Sequence, residues 1–168
     1  MSSNPFQIED CRATATPLTI RFADVDMMCV VHHTAYIHYF EQIRFSVLRN
    51  LMGLDSAVLR REAISCPVLE CQAKYIRPLL FGDEAIGYGK VRMFRTAMFR
   101  FDYSIVRKGA PEESCASGWT THCFVDEKLE LQLRPPRVFA DAFAKASGLF
   151  PGCFENEKSG SPCLPKKN

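Results

Sequence analysis

One stretch of this chain has the pattern of a long helix with a single apolar face. Tyr36, Phe40, Ile43, Val47 and Leu51 recur at steps of four, three, four and four, with Glu41, Arg44 and Arg49 at positions between them. That is the period of an α-helix lying on a core. The pattern predicts a helix of about four turns, with Thr34 as its cap and Gly53 as its stop. A lone stripe of this width must be covered by a broad apolar surface, and the rest of the chain has to supply it.

The flanking segments read as strands. Leu18, Ile20 and Phe22 alternate with Thr19, Arg21 and Ala23, and this first run ends at Asp24 and Asp26. After a connection with a helical turn around Ser56 to Arg61, residues 68–76 alternate until Pro78 breaks the run, and Gly82-Asp83 marks a turn. Residues 85–94 form the next strand, with Gly87 and Gly89 on one face where the long helix can approach closely. In the fourth, Phe99, Phe101, Tyr103 and Ile105 face the core, while Arg100, Asp102 and Ser104 face water or an interface. A turn at Lys108 to Pro111 leads to a fifth strand over residues 115–125, carrying Trp119 and His122. Val138, Phe139, Ala142 and Phe143 mark a short amphipathic helix that stops near Gly148.

Short turns make the last four strands antiparallel neighbours. The expected fold is α+β: an antiparallel sheet of about five strands wrapped round one long helix, plus a short C-terminal helix. Residues 17–147 form the domain, residues 1–16 are expected as a flexible lead-in and residues 148–168 as a disordered tail. Such a sheet keeps exposed edges, so pairing with a second copy is expected.

Composition narrows the function. With 21 basic against 19 acidic residues, a net charge of +2 and no long run of one sign, the chain is not expected to bind nucleic acid. Nothing in it has the length of a membrane span or the apolar segment of a signal peptide, so a cytoplasmic protein is expected. The eight cysteines include no CxxC pair and read as small buried hydrophobes or surface thiols, with no metal site implied.

The chemistry concentrates between Ile20 and Arg44. A strand delivers two aspartates into a loop that ends in His32 and His33, and the long helix follows at once. A helix start presents free N–H groups and partial positive charge, which can hold a carbonyl oxygen as it becomes negative. A carboxylate facing such an anion hole points to hydrolysis of an activated acyl group.

These residues resemble the 4-hydroxybenzoyl-CoA thioesterase-like branch of the hotdog acyl-CoA thioesterases, in particular its small bacterial Tol–Pal-associated members. The likeness rests on Phe22, Asp24-Val25-Asp26, Val30-Val31, His32-His33, Tyr36 and Phe40-Glu41-Gln42-Ile43-Arg44. Tyr75-Ile76-Arg77-Pro78, Gly82-Asp83 and Thr120-Thr121-His122 add to it. The resemblance implies a CoA thioester hydrolase without cofactor or metal, in which Asp26 is the catalytic carboxylate and the His33 backbone N–H meets the thioester carbonyl. It also implies sites at the interface of a homodimer or homotetramer, with acyl-CoA as substrate and acyl carrier protein as the other possible carrier. Members of the family usually carry glycine three residues after that aspartate, where this chain has Cys29; glycine in such a loop serves a positive φ or a close backbone approach.

The remaining candidates divide by role. Asp26 can act as general base or attack the carbonyl itself. Asp24 reads as a brace for the loop. Glu41, eight residues after His33, is the competing catalytic carboxylate, and its structural reading is a partner for Arg44. Tyr36 is assigned to the acyl pocket, and Arg92 and Arg95, near Arg100, to the phosphates of CoA. His38 is placed on the helix exterior. Two alternatives stand beside hydrolysis. A hotdog hydratase or dehydratase sets Asp five residues before His, whereas His32 and His33 lie six and seven after Asp26. A non-catalytic acyl-binding hotdog subunit would bind the ligand without releasing thiol.

Overall fold

The structure, a computed structural model, describes residues 7–157. A 3-10 helix (Ile8–Thr14) precedes β1 (Thr16–Thr19), and a second 3-10 turn (Phe22–Asp24) leads toward α1 (Ala35–Met52) and the short α2 (Ser56–Arg61). Four strands follow, β2 (Val68–Tyr75), β3 (Glu84–Met93), β4 (Met98–Arg107) and β5 (Ala110–Cys123), and then α3 (Arg137–Leu149) and β6 (Phe154–Asn156). The sheet runs in the order β1-β3-β4-β5-β2, antiparallel throughout, while β6 pairs in parallel with β3.

β1 and β2 lie at opposite edges of the sheet, so α1 and α2 carry the chain across its face. Glycine makes room for that crossing. A Cβ on Gly87 would collide with Ile43, and one on Gly89 would sit 3.0 Å from the same side chain. On β5, a Cβ on Gly118 would lie 2.6 Å from the Phe40 ring, which stacks on Tyr103 with centroids 4.6 Å apart. The approach at Gly87 and Gly89 matches expectation; Gly118 is a third such point. Gly53 ends α1 in the left-handed region at φ +68°, as its position implies. Thr34 precedes the helix but makes no side-chain cap, because its hydroxyl pairs with His32 Nδ1 at 2.8 Å.

Four expectations need correction. Residues 8–14 are not a loose lead-in: Ile8, Cys11 and Thr14 are buried, and the Thr14 hydroxyl accepts the Gly89 N–H at 3.0 Å. Residues 154–156 belong to the sheet rather than to a tail, adding a short parallel sixth strand to the five antiparallel ones expected. Residues 1–6 and 158–168, assigned to the same lead-in and tail, lie outside the described residues. The first strand stops at Thr19, and Phe22 is 78% exposed where alternation would bury it, because the chain has already turned. The outer face of β4 is not simply wet. Asp102 is buried under Arg100, which pairs with it at 2.7 Å and lies over the Trp119 ring at 4.5 Å. Long side chains on that face shield one another from water. Among the described residues, no helix is long and apolar enough to cross a membrane.

Candidate active site

The loop between β1 and α1 is built on Asp24. Its carboxylate accepts the Arg21 backbone N–H at 2.9 Å, both arms of the Arg21 guanidinium at 2.8 and 3.1 Å, and the Tyr39 hydroxyl at 3.1 Å. The Arg21 hydrogen bonds hold its carboxyl below the usual carboxylate range against the opposing effect of burial. Its own carbonyl accepts the His32 N–H at 2.8 Å, which ties the start of the loop to its end. Asp24 therefore occupies the bracing role expected of it. Sequence reasoning assigned nothing to Arg21 or Tyr39; the spacing of Arg21 three residues before the aspartate was the available signal.

Asp26 sits in the tight hairpin that this tie closes. Its backbone N–H donates to Val30 at 2.9 Å, and its Oδ1 accepts the Met28 N–H at 2.8 Å and the Val30 N–H at 3.3 Å. Cys29, at the tip, has φ +59°, the left-handed region in which glycine is the unstrained residue. Its carbonyl accepts the Phe81 N–H at 3.4 Å, and Val31 donates to Leu79 at 2.8 Å, so the hairpin is pinned to the β2–β3 connection. That connection is itself fastened by Arg107, which reaches Asp83 at 3.1 Å and the Pro78 carbonyl at 3.0 Å.

His33 follows directly, ahead of the first turn of α1. Its carbonyl accepts the Tyr75 hydroxyl at 3.2 Å, and its N–H has no acceptor among the described residues. The loop thus carries a half-buried carboxylate in its hairpin and, just past the hairpin, an N–H without an acceptor among the described residues, ahead of a helix of 18 residues. Tyr36 lies beneath, buried between Tyr39 and Tyr75 with ring centroids 5.9 and 5.2 Å away. Burial pushes its hydroxyl up to about 12, so it stays protonated. Tyr75, whose hydroxyl holds the His33 carbonyl, stands in the motif without a role assigned to it from sequence.

The other candidates lie elsewhere. Glu41 is exposed about 12 Å further along the helix axis, and its carboxylate takes the Arg44 guanidinium at 3.3 Å, the structural pairing expected for it. Arg92 faces Asp102 at 3.7 Å and Glu155 at 3.6 Å, and the Arg95 backbone N–H donates to Glu157 at 3.3 Å. Both belong to the β3–β4 end of the sheet, separated from the Asp83 turn by the length of β3, about 30 Å. A single chain does not bring them to Asp26. His38 is exposed on α1. No three His, Cys, Asp or Glu side chains among the described residues converge to hold a metal ion.

The fold agrees with the comparisons. The family model described as Thioesterase-like superfamily matches residues 20–143, and the chain belongs to that family, with the hotdog fold. A putative esterase of Aquifex aeolicus is 26% identical over 106 residues, 63% of this chain and 80% of that protein. A putative acyl-CoA thioesterase of Bacillus subtilis is 24% identical over 132 residues, 77% of this chain and 94% of that protein. Among solved structures, a hypothetical protein of Thermus thermophilus superposes with a TM-score of 0.69 at 24% identity, covering 78% of this chain and 98% of that one.

Proposed function

We propose that this protein hydrolyses acyl-CoA thioesters, with the His33 N–H holding the carbonyl oxygen and Asp26 acting on the carbonyl carbon. The observation that carries the reading is the His33 N–H, without an acceptor among the described residues and just past the Asp26 hairpin, with the peptide that follows it tied by Tyr75. A well-aimed donor of this kind stabilises the developing oxyanion by roughly 3 kcal/mol. Asp26 then takes the proton of an attacking water, or attacks to give a mixed anhydride that water opens. In either route the C–S bond breaks and the sulfur leaves as the CoA thiolate. Single-turnover hydrolysis in oxygen-18 water distinguishes the two, since label in the Asp26 carboxylate marks direct attack. Tyr36 forms the apolar floor below the helix start.

The proposal includes a second copy joined through β2. This edge strand is exposed along almost its whole length, and its outer backbone edge is unpaired in one chain. Val68, His122, Phe99 and Met93 share one end of the sheet, while Tyr75, Ala116, Ile105 and Gly87 share the other. Antiparallel pairing of two β2 edges exchanges these ends, so the partner's Arg95 comes to the side of this chain's Asp26. In that dimer the arginines at the hairpin meet the nucleotide end of CoA bound at the neighbouring site.

The test is thiol release measured with DTNB over a panel of short, long and aromatic acyl-CoA thioesters and an acyl carrier protein thioester. Turnover with any of them is expected. Binding without thiol release would favour the acyl-binding subunit, and hydration of crotonyl-CoA would favour the hydratase.

A further inference from the structure

The two ends of the described chain meet at a pair of thiols. Cys11, in the first 3-10 helix, and Cys153, just before β6, are both buried. The Cys11 sulfur lies 3.3 Å from the Gly152 carbonyl oxygen, and the Cys153 sulfur lies 3.3 Å from the Asp10 carbonyl oxygen. Each thiol is thus seated on the peptide that precedes the other. The backbones are equally close: a Cβ on Gly152 would collide with the Asp10 carbonyl, so only glycine permits the approach. The pair sits toward the C-terminal end of β3, where Val91 donates to the Cys153 carbonyl at 2.8 Å. Both segments lie outside residues 20–143, the part matched by the family.

We propose that Cys11 and Cys153 are an oxidisable pair that closes into an intramolecular disulfide under a hydroperoxide, fastening the two ends of the domain. The structure shows the reduced form, in which both are free thiols. Cys153 is the attacking sulfur, since the Cys11 thiol beside it and the Lys90 ammonium draw it toward thiolate against burial, while that contact and burial push Cys11 up. Its sulfur attacks one peroxide oxygen, the O–O bond breaks, and one water leaves a sulfenic acid on Cys153. The Cys11 sulfur then attacks the Cys153 sulfur, the S–O bond breaks, and the Cys11 proton leaves with the second water. Two thiols and one hydrogen peroxide give one disulfide and two waters.

Because both sulfurs are buried, the oxidant reaches them when a terminal segment opens; these are short elements, a 3-10 helix and a strand of three residues. Once formed, the bond closes a loop of about 140 residues, which restricts the unfolded chain strongly. The link is remote from the Asp26 hairpin and does not depend on thioester hydrolysis.

The experiment treats the full chain with hydrogen peroxide at 25 °C and again a few degrees below the melting temperature of the reduced protein. Free thiols are then alkylated and the peptides mapped by mass. The expected product has lost two hydrogens, links the Cys11 peptide to the Cys153 peptide, and melts about 10 °C higher until a reductant is added. Cys11→Ser and Cys153→Ser should each abolish both effects, while Asp26→Asn should retain them. Absence of the link at both temperatures, a linkage through any other cysteine, or a linked chain with an unchanged melting temperature would each overturn the proposal. The map of the unsubstituted chain decides the linkage whether or not the serine variants fold.

Discussion

The Tyr75 hydroxyl, at the end of β2, donates to the His33 carbonyl at 3.2 Å and so ties the edge strand to the peptide that opens α1. The bond is exposed and spans 42 residues of sequence, and it restrains the peptide next to the proposed carbonyl donor. A hydrogen bond of this type contributes about 0.5–1.5 kcal/mol net. Tyr75→Phe keeps the ring against Tyr36 and removes only the tie. We expect kcat to fall roughly two- to tenfold with little change in melting temperature; a large loss of stability with unchanged kcat would mean that the hydroxyl serves folding and not positioning.

Cys29 tests the backbone of the Asp26 hairpin. Its φ of +59° strains any residue with a Cβ by about 1 kcal/mol or more, and a β-branched residue more still. Glycine relieves the strain but gives the unfolded chain more freedom, so the net gain is partial. Cys29→Gly should raise the melting temperature by about 2 °C and leave turnover nearly unchanged. Cys29→Val should lower both, because the hairpin that orients Asp26 must distort. Equal melting temperatures for the two variants would show that the left-handed conformation is not held in solution.

These two positions also show what local sequence can reveal. The period of α1, its stop at Gly53 and the close approach at Gly87 and Gly89 were legible because each depends on residues nearby or on one repeating face. The positive φ at Cys29 was visible only as a departure from the family's glycine. The seating of residues 8–14 and β6 was not legible, since each packs on β3, far away in sequence, and neither has a period of its own. Tyr75 was visible as a motif residue, but its partner is a backbone carbonyl, and backbone carbonyls carry no sequence signature. Arg92 and Arg95 read as phosphate ligands from charge alone, whereas the Glu155 that pairs with the Arg92 guanidinium and the Glu157 that accepts the Arg95 backbone N–H come from the segment expected as tail.

Asp26 and Glu41 can be separated by paired substitutions. Asp26 stands in the hairpin that precedes His33, while Glu41 is two helical turns further along and engaged with Arg44. If Asp26 acts on the carbonyl, Asp26→Asn should lower kcat at least about a hundredfold. Glu41→Gln removes an exposed ion pair and should change kcat less than about threefold. Steady-state DTNB assays on the two variants decide, and silence of the Glu41 variant alone would reassign the catalytic carboxylate.

His122 predicts how the fold responds to acid. It is fully buried and stacked on Phe99 at 4.8 Å. Nδ1 faces the Cys66 carbonyl at 3.3 Å and must carry the proton, so Nε2 accepts from Arg44 Nη1 at 3.3 Å and from the Thr120 hydroxyl at 2.9 Å. The Tyr103 hydroxyl in turn donates to Thr120 at 2.7 Å, completing a buried chain. Burial first, and the Arg44 charge second, push His122 down to about 4 from an ordinary value of 6.5. The unfolded state therefore takes up this proton before the folded state does. The contribution is complete above pH 6.5 and is lost as pH falls through about 4, amounting to about 3 kcal/mol in all. For a domain of this size that corresponds to roughly 6 to 12 °C in melting temperature. The loss from Asp24, whose carboxyl is lowered, begins as pH falls through the ordinary carboxylate value, at the acid end of this window, and continues below it. His122→Gln can still accept from Arg44 but cannot titrate, so it should be less stable at pH 7.5 yet lose less between pH 6.5 and 4. Melting curves of both proteins across that window check the assignment, and parallel losses would mean that the proton is taken up at another group.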